Sequence, residues 1–205
     1  MNAAQFSCGD FLDALASKSP TPGGGGASAL VGALGAALAS MVGNYTLGKQ
    51  KYAGVEAEIR ALMVRTEELR TRLLAQVDAD AAAFEPLSQA YAIPKDDPAR
   101  GEVMERCLRE AAAPPMEILR LSCQAIDLHQ AMLEKGSSMM LSDIGTGVVF
   151  CWSALHGALL NVKVNTKSMS DRKYAGAMNA EADALAEKYG KIARQVYESV
   201  MGRCS

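Results

Sequence analysis

No sign of charge dominates this 205-residue chain: 21 Lys and Arg stand against 23 Asp and Glu, for a formal net charge of −2. A nucleic-acid-binding face would show as a basic excess, so no nucleic-acid partner is expected. A local cluster of cations for a small anionic ligand is not excluded, because net charge does not reveal one. Histidine is nearly absent. His129 and His156 have no carboxylate at metal-ligand spacing, so no metal is expected. The five cysteines, Cys8, Cys107, Cys123, Cys151 and Cys204, are odd in number and show no C-x-x-C pair. They fit a reducing cytoplasm and not a disulfide framework. Asp10 and Asp13 interrupt the first apolar residues, which argues against a signal peptide. The charge-free stretch Ala27 to Val42 is shorter than the roughly 20 residues a bilayer crossing needs, so no membrane span is expected. No segment alternates apolar and polar residues long enough to demand a sheet, and no linker or repeat divides the chain.

What is present is helical periodicity. Ile59, Leu62, Met63, Leu69, Leu73 and Val77 lead into Phe84, Leu87 and Tyr91. Met178, Ala182, Leu185, Tyr189, Ile192, Val196 and Val200 recur at steps of three and four. Asp97-Pro98 reads as an N-cap with proline in the first turn, and Pro94 as the close of the preceding helix. Pro114-Pro115 is expected to break or kink the next helix. Gly136-Ser137-Ser138 marks a turn, and Ser170 or Asp171 caps the last helix. Val162 to Val164 is the one piece that reads as possible strand. With 49% apolar and 21% charged residues, the chain has the composition of a globular protein able to bury roughly 70% of its unfolded surface. The expectation is an all-α, single-domain bundle over residues 1–205, with six or seven helices. Gly32, Gly35, Ala36, Ala37, Ala39 and Ser40 mark a central helix of small residues.

Three segments carry candidate chemistry. Ser19-Pro20-Thr21-Pro22-Gly23-Gly24-Gly25-Gly26 precedes the small-residue helix, which runs on to Asn44 and Lys49. Consecutive glycines cost folding entropy, so they serve close backbone approach, to a ligand or to another helix. A helix N-terminus adds unpaired N–H groups that suit an anion or carbonyl. The G-x-x-x-x-G-K-[ST] spacing of a nucleotide loop is absent. In the second segment Asp80 and Phe84 share a helix face, which sets the carboxylate near the core, where it needs a partner or a ligand. The third segment places Ser142 and Asp143 before an apolar helix, with Asp143 readable as a cap. Asn161, Lys163 and Asn165 follow that long apolar stretch, and buried asparagines require hydrogen-bond partners. Lys163, Lys167, Arg172 and Lys173 form a cationic turn.

In this order the segments resemble the cyclodeaminase family, which includes the C-terminal half of formiminotransferase-cyclodeaminase and stand-alone bacterial methenyl-tetrahydrofolate cyclohydrolases. The marks are Pro22-Gly23-Gly24-Gly25, Asn44-x-Thr46-x-Gly48-Lys49 with Tyr52, and Asp80-x-x-Ala83-Phe84 with Pro94-Lys95. Ser142-Asp143-x-Gly145-x-Gly147 and Gly157-x-x-x-Asn161-Val162-x-Val164-Asn165 complete them. One departure is Gly26, where family members often carry serine. Ser28 or backbone then stands in for that hydroxyl.

The resemblance implies a homodimer acting on a reduced folate, with no cofactor beyond the tetrahydrofolate substrate. Either formimino-tetrahydrofolate is closed with loss of ammonia, or the methenyl bridge is opened by water. It implies Asp143 and Asp80 as the catalytic carboxylates, Asp143 first. Asn161 and Asn165 orient the pterin or the reacting carbon, together with Gly23, Gly24, Gly25, Asn44 and Ser142. Lys49, Lys95 and Lys163 meet the glutamate carboxylates. These segments are expected to converge on one pocket where two subunits meet. The alternative is a non-catalytic folate-binding or scaffold protein that retains the fold.

Overall fold

The computed structural model describes residues 6–204, and six α-helices carry most of them. These are α1 (Cys8–Ala16), α2 (Gly24–Asn44), α3 (Glu56–Ala90), α4 (Arg100–Lys135), α5 (Leu141–Lys167) and α6 (Arg172–Cys204). Short 3₁₀ turns at Gln50–Val55 and Ser138–Met140 lead into α3 and α5, and no strand occurs among the described residues. Val162 to Val164 is helical, inside α5.

Helix starts follow local chemistry. Ser7 and Asp10 cap α1 reciprocally, each side chain accepting the other's N–H. Asp171 caps α6 by accepting from Lys173 and Tyr174 N–H. Two expected boundaries shift. Asp97 accepts from Ala99 N–H at 2.8 Å in the turn ahead, and α4 begins only at Arg100. α4 also runs unbroken through Pro114 and Pro115. Tertiary packing holds it together there: both prolines are buried, and the packed faces of a long helix outweigh a local loss of one bond per proline.

α2 sits at the centre, against α3, α4 and α5. Its buried positions are Gly25, Gly26, Ser28, Ala29, Gly32, Ala33, Gly35, Ala36, Ala39, Val42 and Gly43, almost all with little or no side chain, so neighbouring backbones come close. At Gly35 a methyl group would stand 2.5 Å from Cys151 Sγ and 2.9 Å from the Gly147 carbonyl oxygen. In an interior packed this closely no such group fits. His129 of α4 is fully buried here, and its Nε2–H donates to the Gly35 carbonyl at 3.0 Å. Burial holds its pKa down at about 4, so the ring is neutral. α2 and α5 run antiparallel: Gly24 meets Asn161, Ser28 meets Gly157, and Gly32 meets Ala154.

Larger side chains fill the rest of the core, among them Leu69 and Leu73 of α3, Ile118 and Ile126 of α4, Leu155 of α5 and Val196 of α6. Each such burial contributes about 1.5–3 kcal/mol. Cys123 and Cys151 belong to this core, with burial pushing both thiols up to about 12, so they act as small apolar groups.

Two segments, Gly24–Asn44 and Ser138–Lys167, are long and apolar enough to cross a membrane by length and composition. The first is longer than the uncharged stretch read from sequence. More than half of its most apolar window is buried by the bundle, against 39% of the second. The outer sides of α2 and α5 therefore form an exposed apolar face bearing Leu34, Met41, Tyr45, Leu160 and Val164.

Candidate active site

The four glycines let one helix reach the end of another. Gly23 is the N-cap residue of α2 and offers no side chain to its unpaired N–H groups. Asp80, from the middle of α3, takes that place: its Oδ2 accepts from Gly26 N–H at 3.0 Å. A methyl group at Gly25 would lie within 2.6 Å of the whole Asp80 carboxyl group, and one at Gly24 would touch Asn161 Nδ2 at 3.4 Å. Gly157 makes room in the same way for Ser28, whose hydroxyl donates to the Gly24 carbonyl at 2.7 Å. Burial raises the Asp80 pKa, and the Gly26 N–H offsets only part of that. The result is a half-buried carboxylate that holds a proton, or favours a cationic neighbour, more readily than an ordinary aspartate.

The prolines of α4 contribute to this site. Pro115 has no N–H, so the Ala111 carbonyl four residues earlier loses its helical donor. Asn165 of α5 supplies one, donating from Nδ2 to Ala111 O at 2.9 Å. One turn earlier Asn161 Nδ2 donates to the Gly157 carbonyl at 2.8 Å. Both amides are anchored through nitrogen, which leaves their oxygens free to accept from a ligand.

Together these groups line a pocket of about 210 Å³ bounded by Pro20, Thr21, Gly23, Gly24, Gly25, Asp80, Phe84, Ala111, Asn161, Val164 and Asn165. Pro20, Thr21 and Phe84 also border a second hollow of about 480 Å³ running along α3 past Asp78, Glu85 and Ser88. No lysine or arginine lines either space.

Of the residues singled out in the sequence, Gly23, Gly24, Gly25, Asp80, Asn161 and Asn165 come together here. The others do not join them within one chain. Asp143 and Ser142 lie in the first turn of α5, about 27 Å along the helix from Asn161 at 1.5 Å per residue. Asp143 makes no side-chain cap there, because Met140 is the N-cap residue and α5 starts at Leu141. Asn44 and Lys49 are at the opposite end of α2, about 30 Å from Gly24 by the same rise. Lys49 lies 5.9 Å from the Tyr45 ring centroid. Lys163 points to α6, where it pairs with Asp183 at 2.5 Å, and Lys95 is exposed in the α3–α4 connection. Arg172 closes the end of α5 by donating to the Thr166, Lys167 and Met169 carbonyls.

The end of α2 that carries Asn44 forms a second polar cluster. Thr46 Oγ1 accepts from Ser137 N–H at 2.8 Å, and the Tyr52 hydroxyl accepts from Ser138 N–H at 3.0 Å. Contacts with the Ser138 side chain and backbone lower the Tyr52 phenol to about 7. Periodicity did not find this cluster, nor the parts of Ala111 and Pro115 in the pocket. A proline pair inside a helix was the available signal, since it always leaves a carbonyl seeking a donor.

Residues 7–184 match the Formiminotransferase-cyclodeaminase family. The chain belongs to that family. It is 39% identical over 197 residues to a methenyltetrahydrofolate cyclohydrolase of Methylorubrum extorquens, covering 94% of this chain and 95% of that protein. It is 30% identical to the formimidoyltransferase-cyclodeaminase of Mus musculus, over 94% of this chain but 36% of the mouse protein. The crystal structure of a formiminotetrahydrofolate cyclodeaminase from Thermotoga maritima superposes with a TM-score of 0.85 at 29% identity, covering 97% of this chain and 98% of that one. The all-helical fold expected from the sequence is thus the fold of a family member. Among the described residues no group of His, Cys, Asp and Glu is placed to hold a metal ion.

Proposed function

We propose that this protein is an enzyme of folate one-carbon metabolism that works on the carbon bridging the two reactive nitrogens of tetrahydrofolate, with methenyltetrahydrofolate cyclohydrolase activity first. The observation that carries the reading is the Asp80 carboxylate, raised in pKa, set against the N-terminus of α2 and faced by two anchored amides. Near full-length identity to a cyclohydrolase of the same size supports it.

The methenyl bridge is a cationic amidine. A half-buried carboxylate with no cation beside it in the pocket stabilises such a group directly. Water adds to the bridging carbon and gives up a proton to Asp80, forming a neutral tetrahedral carbon. Asp80 returns that proton to the nitrogen that leaves, the carbon–nitrogen bond breaks as the hydroxyl oxygen becomes the formyl carbonyl, and the hydroxyl proton passes to Asp80 and on to water, leaving formyl-tetrahydrofolate. The Asn161 and Asn165 oxygens accept from pterin N–H groups and hold the ring. Phe84 and Pro20 supply apolar walls, and the adjoining hollow continues the site along α3.

The same groups serve ring closure of a formimino group with loss of ammonia, because that step also passes through a tetrahedral carbon and needs a proton on the departing nitrogen. The family match and the structural similarity to a cyclodeaminase favour this as a second activity. Supplying methenyl-tetrahydrofolate and formimino-tetrahydrofolate separately decides between them. Loss of the methenyl absorbance marks the first, and release of ammonia marks the second. A protein that binds both and converts neither is a binding protein, and the enzymatic reading fails. The protein works as a homodimer in this reading, and its exposed apolar α2/α5 face supports that assembly.

A further inference from the structure

Gly190 is a glycine that packing does not require. At Gly35, Gly43 and Gly147 a methyl group would collide with Cys151, Met63 and His129, so close packing keeps those positions bare. At Gly190, in the interior of α6, the nearest atoms to such a group would be Trp152 Nε1 at 3.6 Å and His156 Nε2 at 3.9 Å, which are ordinary contact distances. Alanine would fit there and would favour the helix. Glycine instead leaves a partly exposed notch in the seam between α5 and α6, with a nitrogen of each ring facing it. We infer that this notch binds a tetrahedral oxyanion, inorganic phosphate or the phosphoryl group of a small metabolite, on Trp152, His156 and Arg194.

The notch is built from two facing pairs. Trp152 and His156 are four apart on α5, and Gly190 and Arg194 are four apart on α6, so each pair shares a helix face. The rings of Trp152 and His156 have centroids 6.1 Å apart and are tilted by 54°. Arg194 Cζ lies 5.8 Å from the Trp152 ring centroid. Helical side chains lean over the turn before their own Cα, which carries this guanidinium toward the space above Gly190.

The donors here are unspent. Trp152 Nε1 is buried without a hydrogen-bond partner, an arrangement native proteins rarely leave unfilled. An indole N–H only donates, so what fills it is an acceptor. His156 and Arg194 are exposed, and neither enters a hydrogen bond or ion pair among the described residues. Nearby carboxylates are turned elsewhere: Glu187 holds Lys191 at 2.6 Å, and Asp183 holds Lys163 at 2.5 Å. Indole, imidazole and guanidinium donors arrive from three residues, which suits a group with oxygens on several sides better than a planar carboxylate. The exposed His156 side chain is free to turn and admit an oxygen to the indole N–H. Gly157 and Asn161 of the same helix face α2, so this site is separate from the Asp80 pocket and does not rest on the folate reading.

Trp152 is the single tryptophan of the chain, so its emission reports on the notch directly. Titration with inorganic phosphate should shift that emission saturably, with a Kd of about 1 mM or tighter, and sulfate should do the same. Sodium chloride at matched ionic strength should leave it unchanged. Gly190→Ala fills the notch and should abolish the response while the melting temperature holds or rises. Arg194→Gln removes the charge and should weaken binding at least tenfold. A response to chloride equal to that to phosphate is charge screening and overturns the site. So does a folded Gly190→Ala protein that still responds, or a wild-type protein with no saturable response. Acetate binding as tightly as phosphate overturns the tetrahedral assignment.

Discussion

Asp80 and His129 show how burial sets protonation in opposite directions. Asp80 is pushed up by desolvation, so its carboxylate costs folding stability at neutral pH, and removal of the charge should not unfold the protein. As the proton acceptor in the reaction, it should give kcat/KM an acidic limb above pH 3.8, the ordinary aspartate value, with activity lost as pH falls through it. A limb at or below that value argues against Asp80 as the base. His129 is pushed down, from 6.5 to about 4. The unfolded chain takes up a proton that the folded chain refuses, so stability is full above pH 6.5 and falls between there and about pH 4. The loss reaches roughly 3 kcal/mol at the acid end, since each tenfold difference in proton affinity between folded and unfolded chains is about 1.4 kcal/mol. Urea midpoints measured between about pH 7.5 and 4.5 should decline through this window, and a flat profile excludes a buried neutral His129.

At the scale of elements, the site depends on features that weaken helices locally. Gly25→Ala improves helix propensity but drives a methyl group into the Asp80 carboxyl group, so turnover should fall at least tenfold and stability should drop. Wild-type kinetics in that variant would show that α3 has room to move. Pro115→Ala tests the opposite end of the pocket. It restores an N–H that competes with Asn165 for the Ala111 carbonyl, so the melting temperature should hold or rise while KM for the folate increases. An unchanged KM would show that Asn165 does not depend on that carbonyl. The helices themselves were legible because amphipathic stripes such as Ile59 to Val77 repeat over many turns. Boundaries at Asp97 and Pro114 were less so, because packing of neighbouring helices outweighs local punctuation. Gly23 to Gly25, Asp80 and the two asparagines could be singled out because their residue types are costly away from a partner, and the family resemblance joined them into one site. The distance between Asp143 and that site follows from α5 running as one helix from Leu141 to Lys167, which the strand-like run Val162 to Val164 obscured in the sequence.

The whole molecule is a bundle whose central helix was sacrificed to close packing, and whose outer face at that helix stayed apolar. Both facts follow from one composition: α2 carries no charge and little bulk, so neighbouring helices pack closely on its inner sides and its outer side stays apolar. A single substitution tests the central claim, that the raised Asp80 carboxylate performs the proton transfers at the bridging carbon. Loss of the methenyl absorbance of methenyl-tetrahydrofolate should be followed for the wild-type protein and for Asp80→Asn, whose amide oxygen still accepts from Gly26 N–H. At equal helix content and an equal or higher melting temperature, the variant should be slower by at least about 100-fold, the scale of a lost general acid–base group. A folded Asp80→Asn protein that opens the bridge at nearly the wild-type rate contradicts the account.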